Sequence, residues 1–117
     1  MINIVEMSKE FNEVEQYLMT ISPNIKSTKD ADDGEKITVD GFLIFEDVKD
    51  DGTTSEIMSI ITPDKKVYSC QSATFKRTIK DIFSLMKGKQ FTVIKTSGKN
   101  KSGRDFINCY LDTEGLL

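Results

Sequence analysis

The stretch ATFKRTIKDIFSLMKG, Ala73 to Gly88, changes the period of the chain. Within it Phe75, Ile79, Ile82, Phe83 and Met86 stand at i, i+4, i+7, i+8 and i+11, which is one stripe of a helix. Ser72 or Thr74 can cap its start and Gly88 its end. The segments on either side follow strand patterns instead. Downstream, QFTVIKTS and RDFINCYLD read as two strands, and the glycines of GKNKSG between them permit a tight reversal. Upstream, VYSCQS is a strand reached through a Pro63-Asp64 turn from SEIMSIIT, which in turn follows the Asp51-Gly52 turn of KDDGTT.

The strand before that, ITVDGFLIFED from Ile37 to Asp47, carries Gly41 in its interior. Glycine there marks a bulge or a sharp coil, and it shifts the alternation so that either Leu43 and Phe45 or Phe42 and Ile44 face inward. The sequence leaves both open. Residues 22–36, SPNIKSTKDADDGEK, read as a flexible polar connection. Before it Ser8, Phe11, Val14, Leu18 and Ile21 give helical spacing, which predicts an N-terminal helix over 8–21 capped by Ser8 and stopped by Pro23.

The predicted order is helix, three strands, helix, two strands. Five strands with a helix between the third and fourth is the element order of the OB-fold, a five-stranded Greek-key barrel, placed here at 37–112. At 117 residues the chain fits one such domain with its extra N-terminal helix.

Composition narrows the chemistry. The chain has no histidine, so histidine-assisted nucleophiles and the commonest metal ligand are missing. Cys70 and Cys109 are the only cysteines, and each sits in an apolar strand, where a small buried residue is expected rather than a disulfide. Asp30, Asp32, Asp33 and Glu35 lack the twelve-residue loop and terminal bidentate Glu of an EF-hand. No phosphate-cradling or nucleophile-elbow motif is present. The expectation is a protein that is not an enzyme and uses no cofactor and no metal. The acidic N-terminus is unlike a secretory signal and no apolar run is long enough to span a membrane, so a cytoplasmic location is expected.

The formal charge of −3 hides an asymmetry. Met1 to Asp64 holds five lysines against fifteen acidic residues, a net −10, whereas Lys65 to Leu117 holds eleven basic residues against four acidic ones, a net +7. Such a division points to a basic surface on an acidic body. Lys95, Lys99, Lys101 and Arg104 cluster at the last hairpin, in the loop that OB barrels use against single strands. Alternation on the final strand puts Arg104, Phe106, Asn108 and Tyr110 on one face and Ile107, Cys109 and Leu111 on the core side. Cations for phosphates and rings for unstacked bases are what sequence-tolerant binding of a single strand requires. The candidate contacts are therefore Lys66, Tyr68, Lys95, Lys99, Lys101, Arg104, Phe106 and Tyr110.

With its elements in this order, the run from Ser55 to Leu111 resembles the single-stranded DNA-binding proteins of small protein-primed phages. The likeness lies in Val67-Tyr68-Ser69, the helix after it, Lys101-Ser102-Gly103 at the tip of the last hairpin, and the Asp33-Gly34 turn and short helix upstream. Plasmid-encoded proteins of similar architecture look alike at this level. The resemblance implies an OB-fold protein that coats and protects displaced strands during phage or plasmid DNA replication, with Tyr68 as a DNA contact. The more basic last hairpin departs from the family. RNA stays open as a ligand, because stacking does not distinguish the sugar, as do self-association and contact with replication proteins. The alternative is a protein-protein interaction module, or an inhibitor of a host factor, that uses the acidic N-terminal half.

Overall fold

A computed structural model describes all residues from Met1 to Leu117. The strand-like segment around Gly41 is two strands in one bent path: β3, Lys36–Val39, and β4, Gly41–Val48, with β1, Ile2–Met7, and β2, Lys26–Ser27, preceding them. After β4 come β5, Thr54–Ile61, β6, Val67–Cys70, helix α2, Ala73–Leu85, β7, Phe91–Lys99, and β8, Asp105–Leu111. Helix α1, Glu13–Thr20, follows β1. The strands form one sheet in the order β1-β4-β5-β6-β2 and another in the order β3-β7-β8. The protein is thus mostly β with two helices, and the bend at Asp40-Gly41 feeds one strand path into both sheets.

Gly41 is required by a close approach. A β-carbon there would stand 2.7 Å from Cζ of Phe11, well inside van der Waals contact. The N-terminal segment crosses the chain at this point, where the Ser8 hydroxyl accepts from the Phe42 N–H and the Ser8 N–H donates to the Phe42 carbonyl. Ser8 therefore serves β4 rather than the helix. The helix begins later, at a capping box in which Asn12 Oδ1 accepts from the Glu15 N–H at 2.8 Å and Glu15 Oε1 accepts from the Asn12 N–H at 3.1 Å. The helix expected over 8–21 is confined to 13–20, and residues 8–12 are a connection that leads to it from β1. At Val5 the register of β1 on β4 slips, leaving one bulged, exposed residue in that edge strand.

Both alternations around Gly41 hold at once. Phe42 and Ile44 enter the main core between the sheets with Ile37, Val39, Met58, Ile60, Phe91 and Val93, and α2 closes one end of it with Phe75 and Ile79. Leu43 and Phe45 face the other way, into a second core with Ile61, Val67, Phe11 and Met19. Helix α1 covers that outer face, and the Ser59 hydroxyl donates to the Met19 carbonyl beneath it.

The expected closed barrel does not form; the sheets remain open. The reason is local. Strand β2 pairs in parallel along the outer edge of β6, Lys26 opposite Tyr68 and Ser27 opposite Ser69, and so occupies the edge that would receive β8. The 22–36 connection is ordered by this pairing and by a 3₁₀ turn at Thr28–Asp30. Across the remaining gap the Ser72 hydroxyl, which also caps α2, donates to the Ile107 carbonyl at 3.3 Å. No helix is long and apolar enough to cross a membrane.

Candidate functional site

The gap between the sheets is a groove of about 1100 Å³. One wall is β2, the 3₁₀ turn and the end of β6; the other is the β7–β8 hairpin. Lys26 and Lys29 stand on the first wall and have no carboxylate within ion-pair distance. On the second wall Gly98 pairs with Phe106, whose ring lies over the glycine, 37% exposed. A β-carbon at Gly98 would sit 3.0 Å from the ring's Cζ, so the absence of a side chain is what lets the ring approach the hairpin backbone this closely.

Lys99 also lines the groove, paired with Asp105 at 2.9 Å, both side chains being largely exposed. Such an exposed pair contributes little and is readily exchanged for another anion. Beyond it Asn100 Oδ1 accepts from the N–H groups of Ser102 and Arg104, and Gly103 takes a φ of 82° to close the turn. The turn leaves Lys101 and Arg104 exposed and without ion-pair partners. Lys99 and Phe106 thus share the groove wall, and Lys101 and Arg104 stand at the tip of the same hairpin, beyond the groove's lining.

Lys95 is not available with them. It is 3% exposed, and its ammonium donates to the Ala31 carbonyl at 2.7 Å and to Asp33 Oδ1 at 3.2 Å. The Ser97 hydroxyl and this ammonium together hold the Asp33 carboxyl below the usual carboxylate range. Backbone bonds Gly34 N–H to Lys95 carbonyl and Lys95 N–H to Glu35 carbonyl complete the tie. Lys95 is part of the groove's lining, but its ammonium is spent on pinning the acidic loop to β7.

Tyr68 is corrected in the same way. Its ring is 7% exposed and belongs to the main core, which leaves no face for a base. The phenol donates to Glu35 Oε2 at 3.1 Å, and burial first, then this bond, pushes its pKa up. Lys26 Nζ rests 5.9 Å from the ring centroid, so Tyr68 supports the wall that carries Lys26. Lys66 lies outside the groove, loosely paired with Asp64 at 3.7 Å. Tyr110 is 53% exposed but lines no part of the groove. The outer sheet face over β5 and β6 is covered by α1.

Sequence reasoning passed over Lys26, Lys29 and Gly98. The first two were hidden in a polar connection whose signal lay in Ile25 and Thr28: Thr28 is fully buried and its hydroxyl donates to the Ser69 carbonyl. Both cysteines are free, and burial pushes the Cys70 thiol up to about 11 and the Cys109 thiol up to about 12. Comparison of the chain with protein-family models, with curated proteins and with solved structures finds no match in any of the three.

Proposed function

We propose that this chain is a non-enzymatic, sequence-tolerant binder of single-stranded DNA, of the kind exposed when phage or plasmid replication displaces a strand, and that the strand lies in the groove between the sheets. The observation that carries the reading is the Phe106 ring, backed by Gly98 and lining an open groove, with Lys26 and Lys29 on the facing wall and Lys101 and Arg104 at the exposed tip of the ring's own hairpin, four cations free of acidic partners. A base stacks on the ring while phosphates meet the cations. The bent first strand shared by two sheets, the second and third strands, the helix and the final hairpin support an OB-type architecture, its closing seam left open as the binding cleft.

Reactive chemistry has little to draw on. The chain lacks histidine, and both thiols stay protonated at neutral pH. The reading of an acidic docking module has less support, because Glu6, Glu15, Asp33, Asp40 and Glu56 each hold a lysine of this chain.

Titration of fluorescent oligothymidine at several salt concentrations tests the proposal. If the four free cations each neutralise a phosphate, log affinity falls with log salt with a slope of about −3, at about 0.7 per contact. Undetectable binding at low salt overturns it. A matched oligouridine reports the preference for sugar.

A further inference from the structure

We infer that the path of the bound strand continues out of the groove, across Lys26, into a second, smaller hollow where Lys66 takes a further phosphate. This extends the groove reading and rests on it. The second hollow, of about 150 Å³, lies between the end of α1 and the start of β6 and is lined by Leu18, Ser22, Asn24, Lys26, Lys65 and Lys66 among others. Lys26 lines both concavities, and its ammonium lies 5.9 Å from the centroid of the Tyr68 ring. One cation therefore belongs to two adjoining depressions, and no acidic side chain lines the second.

The two lysines at the far end differ in what they can offer. Lys65 is held by Glu15 at 3.0 Å, a carboxylate whose side chain is only 17% exposed and which also serves the α1 capping box. Lys66 is 3.7 Å from Asp64, and both side chains are more than half exposed. A phosphate displaces the second pairing at little cost. The first pairing fastens α1 to the β5–β6 turn. Helix α1 thus has two effects: it blocks the flat sheet face and, by walling the second hollow, offers the strand a continuation beside β6.

Two labelled oligothymidines separate this from the parent reading: a short one of about 5 nucleotides and a longer one of about 12, within the span single OB units hold. The unaltered chain is expected to bind the longer more tightly. Lys66→Gln leaves the short oligonucleotide's Kd within about two-fold and weakens the longer by about three- to ten-fold at low salt, with the salt slope for the longer alone reduced by about 0.7. Equal effects on both lengths, or none on the longer, overturn the extension while the groove stands. If the unaltered chain binds neither length, the groove reading fails and the extension with it. Urea unfolding of Lys66→Gln, expected within about 0.5 kcal/mol of the parent, shows that the comparison is made on a folded protein.

Discussion

The ring of Phe106 lies across the backbone of Gly98 on the neighbouring strand, so close that a β-carbon at Gly98 would stand 3.0 Å from it. The pair makes two variants informative. Phe106→Ala removes the proposed stacking surface and is expected to weaken oligothymidine binding by about 1–3 kcal/mol in an anisotropy titration. Gly98→Ala keeps the ring but forces it to move by a few tenths of an ångström or more. A loss smaller than that of Phe106→Ala, with the thermal midpoint barely changed, is the expected result.

Lys95 and Lys101 sit in the same hairpin and should fail differently. Lys95→Met leaves the Ala31 carbonyl without its donor and loosens the 31–35 loop, costing about 1–3 kcal/mol of stability in urea unfolding. Lys101→Gln touches nothing folded, so stability stays within about 0.5 kcal/mol while the salt dependence of binding flattens. A stable Lys95→Met with weakened binding would place that ammonium in the groove after all.

At Tyr68 the hydroxyl and the ring carry separate weights. Tyr68→Phe loses the bond to Glu35 and is expected to cost about 0.5–1.5 kcal/mol of stability with little change in binding. Tyr68→Ala empties part of the core and costs about 3–5 kcal/mol. Chemical denaturation beside the binding titration distinguishes a supporting role from a contact.

The thiols give a pH dependence with a definite sign. In the fold they ionise at about 11 and about 12, against an ordinary 9.0, so the folded state favours the protonated form. That contribution is whole below pH 9 and is lost as pH rises toward 11 and 12. Urea midpoints at pH 8 and pH 10 should fall less in Cys109→Ala than in the parent. Alkylation at pH 8 should be slow in the native protein and fast in denaturant, because the thiolate is the reacting species.

Much of the fold was legible from local pattern, and what was not depended on distant partners. The stripe from Phe75 to Ile79 and beyond is self-contained, so α2 could be read directly, while its N-cap stayed open between Ser72 and Thr74 until the Ser72 hydroxyl was seen to accept from the Phe75 N–H. The facing of Phe42 to Phe45 could not, because α1 returns to bury the second side of β4 and both alternations are satisfied. Strand β1 escaped notice since its pairing is to residues some forty positions away and its pattern is broken by the bulge.

The site divides in the same manner. Lys99, Lys101, Arg104 and Phe106 lie on one hairpin, where sequence neighbourhood is spatial neighbourhood. Lys95 shares that neighbourhood, but its partners Ala31 and Asp33 come from more than sixty positions upstream and turn it into an anchor. Lys26 reaches the groove only because β2 pairs with β6, a two-residue ladder too short to leave a trace in composition.

The kink at Val5 has a consequence for crowding. An incoming chain meets no straight run of backbone donors and acceptors along that rim, so edge-to-edge growth of copies into fibres lacks a template there. Many molecules can then stand shoulder to shoulder without fusing through their outermost strand.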